Sequence, residues 1–463
     1  MTTDTAPYSR PGPATGSVHV LSVHDLAVSG GGVARLDGMT VFLDRGLPGE
    51  TLRCRITERK PRFARAEVLE TVTPSPDTAP SFCAFSDACG GCAWTTLSYP
   101  AQLAWKERQV KETLRRIGKV DFDRAGYLPI IPSPRPTRYR NKMEFAFGFE
   151  GDAPALGLRQ RNSRAVVPVA DCSLCALPVT DILAVTRQWM REKNLAPYDG
   201  KNGFLRFLVV RCPDYTPDGA PRCLVECITT PGGHTRDTEA LGKLLMEKTP
   251  ATGFLHSIRA AGADVAYGEK TVVSLGETTV RERFGDVVLE APVRAFLQAN
   301  TAAAALLYEQ VREYAEKENT GTVWDMYCGV GGIALFLAKE GRVVRGIETV
   351  DEAVRFARKN AAASPGDHAF IRDDAGLAAT KLFPRPDLVV TDPPRAGMSP
   401  GLRRAILELH PSRVIAISCD AASLARDVAA LGSAYRVESA RAVDLFPHTP
   451  HIETVALLSL SSG

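Results

Sequence analysis

The sequence predicts a multidomain chain: an N-terminal OB-like β-barrel, a central α+β region and a C-terminal Rossmann-like α/β domain. Three observations carry this. The 463 residues exceed what one hydrophobic core usually organises. Val18 to Val72 alternates apolar and polar residues around glycine clusters, the pattern of a small antiparallel barrel. From Pro292 onward strands and helices alternate in the βαβ rhythm of a doubly wound sheet.

Residues 1–16 are rich in Thr, Pro and Gly, are expected to be flexible, and lack the apolar stretch of a signal peptide. No later stretch is long enough to span a bilayer, so a soluble cytoplasmic protein without a membrane partner is expected. The barrel is assigned to 17–73, with turns at Ser29-Gly-Gly-Gly32, Leu36-Asp-Gly38 and Leu47-Pro-Gly49. Its last part carries Arg53, Arg55, Arg59, Lys60, Arg62 and Arg65 beside Phe63. That set combines backbone neutralisation with a stacking surface for nucleic acid, against the alternative of a solvated charged strand. The net charge of +3 neither demands nor excludes a polyanionic partner, so local charge has to decide.

Thr73 to Pro80 is a proline-rich linker, and the central region is assigned to 74–290. A helical period over Tyr99 to Ile117 (Leu103, Val110, Leu114, Ile117) ends at Gly118, and this helix is expected to pack on the C-terminal domain. Arg138-Tyr-Arg-Asn-Lys142 is a basic and aromatic run that leads into an alternating strand, Met143 to Phe149. The 11 cysteines of a chain this large read as ligands, nucleophiles or buried apolar residues before they read as a disulfide framework. Cys83, Cys89 and Cys92 are closely spaced, a pattern acceptable for iron-sulfur or zinc, whereas Cys54, Cys212, Cys223 and Cys227 read as packing residues.

The C-terminal domain, 291–463, opens with an Ala-rich helix over Thr301 to Lys317. Strands are predicted at Thr322–Tyr327, Arg342–Ile347, His368–Arg372, Leu388–Thr391, Arg413–Ser418 and Thr454–Leu460. Trp324-Asp-Met-Tyr-Cys-Gly-Val-Gly-Gly332 ends a strand and opens a helix, so its glycines let the backbone turn sharply beside a ligand. Glu348 ends the next strand, where a carboxylate can hold ribose hydroxyls. These two features suit a dinucleotide equally well. The balance is tipped by Asp392-Pro-Pro-Arg395, which resembles the fourth motif of nucleic-acid methyltransferases that use S-adenosylmethionine (SAM). Asp374, favoured over Asp373, follows the third strand, where an adenine contact usually sits.

Cys419 stands at the exit of a predicted strand, and Glu453 ends an unusual loop, Asp444-Leu-Phe-Pro-His-Thr-Pro-His-Ile-Glu453. A thiolate at a strand exit and a carboxylate at the entry to the final strand suit nucleophile and general base. Cys328, inside the glycine turn, reads as a packing residue. His448 and His451 lack convergent ligand spacing and read as residues that hold the loop.

Taken together the chain resembles the RNA 5-methyluridine methyltransferase family, in particular its bacterial 23S rRNA uracil-C5 branch. Gly-Gly-Gly-Val-Ala-Arg and Leu-Pro-Gly-Glu resemble a TRAM domain, an OB-type RNA-binding module. Phe296-Leu-Gln-Ala-Asn300 resembles the family's Phe-x-Gln-x-Asn motif, Asp325 to Gly332 its cofactor loop, and Ser418-Cys419 and His448 to Glu453 its catalytic signatures. The resemblance implies methyl transfer from SAM to carbon 5 of a uridine, with Cys419 as nucleophile and Glu453 as base. It places Gln298, Tyr327, Gly332, Glu348, Asp374 and Asp392 around SAM. Gly332 and Asp420-Ala421 depart from the family pattern, which often has a polar residue and Asn-Pro there.

The resemblance also selects a 4Fe-4S cluster on Cys83, Cys89, Cys92 and Cys172, with Cys175 as the alternative fourth ligand. It implies a 23S rRNA substrate, with tRNA as the alternative. No obligate protein partner is evident in the sequence, and a monomer is expected. The rival readings are a non-catalytic RNA-binding scaffold and an iron-sulfur oxidoreductase with a different nucleotide.

Overall fold

The computed structural model describes residues 12–214, 216 and 218–461. The expected flexible tail therefore lies, over 1–11, outside the described residues. The chain divides into two compact units. One takes the described residues through Ser86 with Cys92–Trp105 and His448–Pro450, and the other takes the rest.

In the first unit β1 (Val18–Leu26), β2 (Gly32–Leu36), β3 (Met39–Leu43), β4 (Thr51–Arg59) and β5 (Phe63–Thr73) close a barrel in the order β1-β2-β3-β5-β4. Period-two alternation explains it: Leu52, Cys54 and Ile56 of β4 point inward with Leu21, Val23, Ala34 and Val41, while Arg53 and Arg55 point out. Gly31 is required at the β1–β2 turn, because a Cβ there would lie 2.1 Å from the Leu43 carbonyl oxygen. Trp94 is fully buried beside Leu26, Leu47, Leu97 and Ala101 and donates Nε1–H to the Gly30 carbonyl at 3.0 Å.

The basic face of the barrel is less free than its sequence suggests. Strand register sets Arg53 opposite Glu70 and Arg55 opposite Glu67, each paired at 2.8 Å, and Glu58 takes both Lys60 and Arg65. Arg59 and Arg62 are exposed and carry no ion pair among the described residues.

Helix α1 (Tyr99–Arg116) runs from the first unit into the second. In the second unit β6 (Gly126–Ile131) is followed by β7 (Lys142–Glu150), β8 (Ala153–Arg159), β9 (Val166–Val167), α2 (Val179–Glu192), β10 (Leu205–Arg211), β11 (Cys223–Thr229), α3 (Thr235–Lys248), β12 (Ala251–Ile258) and β13 (Lys270–Gly276). All but β6 of these strands form a seven-stranded sheet, β13-β12-β11-β10-β7-β8-β9. At one end of it Cys212 and Cys223 form a disulfide across a separation of 11 residues. That corrects their reading as separate packing thiols: the antiparallel β10–β11 pairing brings together two residues that no local spacing links.

A ribbon of β14 (Thr279–Phe284) and β15 (Val287–Pro292) leads to α4 (Thr301–Glu316). The α4 apolar stripe Ala303, Leu307, Val311, Tyr314 recurs every three or four residues and is buried, each large side chain contributing about 1.5–3 kcal/mol. Then follow β16 (Thr322–Met326), α5 (Gly332–Phe336), β17 (Val343–Glu348), α6 (Asp351–Ala361), β18 (Asp367–Arg372), α7 (Ala375–Ala378), β19 (Leu388–Thr391), α8 (Pro400–Leu409), β20 (Arg413–Ser418), α9 (Ala421–Leu431), β21 (Tyr435–Val443) and β22 (Glu453–Leu460). They make an eight-stranded sheet in the order β18-β17-β16-β19-β20-β22-β21-β6. The chain reverses direction of travel between β16 and β19, so a crevice opens at their carboxyl ends. Strand β21 is absent from the sequence prediction, and β6 pairs with it in parallel from more than 300 positions earlier. Val110 and Leu114 of α1 share the core on one face of this sheet with Trp324, Leu402 and Leu424.

Candidate active site

The turn after β16 is built for close approach. Tyr327 (φ 71°), Gly329 (φ 54°) and Gly331 (φ 93°) are all left-handed, and for Tyr327 that conformation costs of order 1–3 kcal/mol, a strain that concentrates at functional sites. Backbone N–H groups of Tyr327 and Cys328 both donate to Ile347 O (2.9 and 3.0 Å), pinning the turn to β17. Glu348 Oε2 accepts from Gly329 N at 3.2 Å, while its Oε1 accepts from Thr349 N and Val350 N.

A cleft lies here, lined by Gln298, Asp325, Tyr327, Gly332 and Asp392 among polar or small groups and by Leu289, Phe296, Tyr308 and Ile333 among apolar ones. Of the six residues expected around a cofactor, Gln298, Tyr327, Gly332 and Asp392 meet in this lining, and Glu348 and Asp374 do not. Asp374 instead caps α7, its Oδ1 accepting from Gly376 N (2.9 Å) and Leu377 N (3.1 Å). Gly332 offers no side chain, and a Cβ there would sit 3.1 Å from the Tyr308 hydroxyl.

Asp325 had no role assigned from sequence beyond its place in the loop. It is 1% exposed, its Oδ2 accepts from Ala334 N at 2.9 Å, and its Oδ1 has no partner among the described residues. Burial, then the charge of Asp392, pushes its carboxyl well above the usual range. An orphaned acidic oxygen in the wall of a cleft is a site for a ligand cation or donor, and the ammonium and hydroxyls of SAM fit it. Cys328 is buried and burial holds its thiol protonated, in keeping with a packing residue.

Register explains how two residues 34 positions apart in sequence meet. β20 and β22 are antiparallel with Ser418 opposite Thr454, so Cys419 and Glu453 are the next facing positions beyond that pair. Asp392 follows β19, its N–H reaching Met326 O at 3.4 Å; it lines the cleft, and its charge acts on both Cys419 and Glu453. Burial, and then Glu453, raises the Cys419 thiol, which the Arg395 guanidinium opposes by charge and by a hydrogen bond. Glu453 is 4% exposed, and burial with the neighbouring Asp392 pushes it well up, again opposed by Arg395. Asp392, half-buried, is pushed up to about 6 by desolvation. Arg395 is the cation of this group, and its place in Asp392-Pro-Pro-Arg395 was the only signal for it in the sequence.

The loop before Glu453 is anchored from both sides. Lys106 and Asp444, both fully buried, pair at 2.6 Å, and Lys106 Nζ also donates to Phe446 O. His448 N donates to Gln102 Oε1 at 2.8 Å and its ring lies 4.2 Å from that of Phe82, so it holds the loop.

Of the expected cluster ligands, Cys83 and Cys92 fall in the first unit and Cys89 and Cys172 in the second. Gly91 N donates to Cys89 Sγ and Phe85 N to Cys83 Sγ, each at 3.4 Å. Cys172 is drawn down to about 6, first by the thiol of Cys175 and further by backbone N–H groups and Arg140. No group of three or more His, Cys, Asp or Glu among the described residues is arranged to hold a metal ion. The thiols suit iron chemically, and no step below passes through a cluster.

No helix among the described residues is long and apolar enough to cross a membrane.

Comparison with known proteins agrees with this geometry. Residues 381–461 match the tRNA (Uracil-5-)-methyltransferase family, 15–69 the TRAM domain and 296–403 the methyltransferase small domain. An uncharacterised RNA methyltransferase of Nitratidesulfovibrio vulgaris is 42% identical over 458 residues, 96% of this chain and 97% of that one. Another, from Halalkalibacterium halodurans, is 32% identical over 453 residues, covering 96% and 97%. Among solved structures, the Pyrococcus abyssi tRNA (uracil-54, C5)-methyltransferase in complex with S-adenosyl-L-homocysteine superposes with a TM-score of 0.75 at 25% identity, over 95% of this chain and 100% of that one. The five-stranded barrel is thus a TRAM domain, the C-terminal sheet has the SAM-dependent methyltransferase fold, and the chain belongs to the RNA uracil-5-methyltransferase family.

Proposed function

We propose that the protein transfers a methyl group from SAM to carbon 5 of a uridine in 23S rRNA, through a covalent bond between Cys419 and carbon 6 of the base. The observation that carries the proposal is the facing of Cys419 and Glu453 beyond the Ser418–Thr454 pair, both within reach of the charge of Asp392, which lines the cleft. Uracil carbon 5 is too weak a nucleophile to react unaided. SAM supplies an electrophilic methyl group on a sulfonium. Cys419 as thiolate adds to carbon 6, moving the ring's electron pair towards carbon 5, which then takes the methyl group. Glu453 as carboxylate removes the carbon 5 proton, the carbon 5–carbon 6 double bond reforms and the thiolate leaves. Arg395 favours both ionised forms.

Gln298, Tyr327, Gly332, Glu348, Asp374 and Asp392 are proposed to surround SAM, with Asp325 added from the cleft wall. Glu348 acts on the cofactor loop through Gly329 N, and Asp374 through the cap of α7. The target base is proposed to leave its stack and enter beside Cys419, with the barrel holding RNA backbone. The four-cysteine cluster stays part of the proposal on spacing and resemblance, and iron and sulfide analysis of anaerobically purified protein, with Cys83→Ser as control, decides it.

A tRNA target is the second reading, favoured by the Pyrococcus abyssi structure, whose name specifies tRNA. The deciding experiment incubates the protein and labelled SAM with unmodified 23S rRNA and tRNA in parallel, with Cys419→Ala as control. Formation of 5-methyluridine in rRNA that vanishes in the variant supports the whole proposal. Label in tRNA alone moves the target, and label that persists in Cys419→Ala overturns the covalent route.

A further inference from the structure

The segment that delivers Gln298 to the cleft is held by buried polar groups that the chemistry above does not use. Arg211, 1% exposed, donates Nη2–H to Val293 O (3.4 Å) and Ala295 O (2.8 Å). Asn141 donates its backbone N–H to Ala299 O at 2.9 Å and its side-chain amide to Gln298 O at 3.0 Å. Asn300 caps α4 through Ala303 N and reaches Ser133 Oγ and Leu445 O with its amide. Behind Asn141 stands Glu282, also 1% exposed. Its Oε2 accepts from Asn141 Nδ2 at 3.0 Å, its Oε1 from Asp214 N at 3.1 Å, and Thr301 hydrogen-bonds it as well.

We propose that Glu282, acting through Asn141, is a positioning residue for Gln298 and thereby sets the affinity of the cleft for SAM. Both Glu282 oxygens face donors, the Asn141 amide and the Asp214 N–H, and only an ionised carboxylate accepts at both with full strength. The Asn141 amide in turn has Glu282, Gln298 O and Thr301 Oγ1 (2.9 Å) as acceptors, so weakening the Glu282 contact lets that amide move and shifts the Gln298 backbone. A buried carboxylate in this position is costly. Desolvation, and then the charge of Asp214, pushes its carboxyl up to about 7, with Asn141, Thr301 and the Asp214 N–H pulling it down. Arg211 is the buried cation whose own charge it supports, while Asp214 is paired with Arg135. The carboxylate is therefore titrated near neutrality, and its positioning effect switches on as pH rises through that range.

This inference rests on the reading that Gln298 contacts SAM. Its test is calorimetric binding of S-adenosylhomocysteine to the full chain and to Glu282→Gln, which keeps shape but accepts at one atom only. The ratio of the two affinities isolates Glu282 from Asp392 and Asp325, which titrate in both proteins alike. The variant is expected to bind about tenfold more weakly at about pH 8 and within about twofold of the parent at about pH 6, where Glu282 is already protonated. A melting midpoint in Glu282→Gln no lower than the parent's, with an unchanged RNA affinity, excludes general damage. Equal affinities at both pH values, or a deficit that does not vary with pH, overturn the inference while leaving the cofactor reading intact. No binding by the parent chain overturns the cofactor reading, and the inference with it.

Discussion

Glu453 and Asp392 share a burial-driven rise in pKa, but their proposed roles separate them. Glu453→Gln removes the proposed proton acceptor and leaves Cys419 in place. The variant is expected to capture RNA covalently and fail to release it, with turnover down about 10²–10⁴-fold and a protein–RNA band that survives denaturation. Loss of both turnover and the band would assign Glu453 to adduct formation instead. Asp392 has a folded-state pKa near 6, above its ordinary value, so the folded chain binds its proton more tightly than the unfolded chain does. That contribution to stability is present at low pH and is lost as pH rises through about 6. Asp392→Asn is therefore expected to melt higher than the parent at neutral pH, the gap closing as pH falls below about 6, while methyl transfer drops. A gap that widens on acidification would contradict the raised pKa.

The elements that carry these residues are fixed by contacts distant in sequence. The loop between β21 and β22 delivers Glu453, and it is tied to α1 through the fully buried Lys106–Asp444 pair. Replacing Lys106 by Met removes that charge from a dry site beside Asp444, so chemical denaturation is expected to show a loss of about 3–5 kcal/mol. Lys106→Met combined with Asp444→Leu should recover much of it, because two apolar groups avoid the desolvation cost altogether. A single variant as stable as the parent would mean that the pair does not anchor the loop. Much of the site was legible at this scale, since β19 and β20 occur where the apolar runs Leu388–Thr391 and Arg413–Ser418 predict them. Strand β21 was not, because Tyr435–Val443 interleaves Arg, Glu, Ser and Ala with few large apolar residues and takes its place only by pairing with β22.

At the scale of the whole molecule the barrel and the catalytic sheet pose different electrostatic problems. Glu58, Glu67 and Glu70 neutralise much of the barrel's basic strand pair, so Arg59 and Arg62, which carry no ion pair among the described residues, are expected to supply its contribution to RNA binding. Reversing both to Glu should weaken RNA binding by roughly tenfold or more at low salt and flatten its salt dependence. Arg53→Ala and Arg55→Ala should change it little, as exposed pairs are worth about 0–1 kcal/mol. Filter binding across a salt series checks this, and a larger effect at Arg53 or Arg55 would place the RNA track elsewhere.

By itself the sequence determined the alternation of the barrel strands and the βαβ order of the C-terminal domain, and it singled out Cys419 and Glu453 as candidates. Alternation, glycine turns and short motifs are local properties, and a strand exit or a glycine turn constrains its own residues whatever surrounds them. Only the tertiary structure decided that β6 joins the catalytic sheet from the far end of the chain and that Cys212 meets Cys223. It also decided that Arg395 faces both Cys419 and Glu453 and that Glu282 backs Asn141 behind Gln298. Each of these is a pairing across many intervening residues, fixed by strand register and by the need of buried polar atoms for partners, and neither can be read along a single strand.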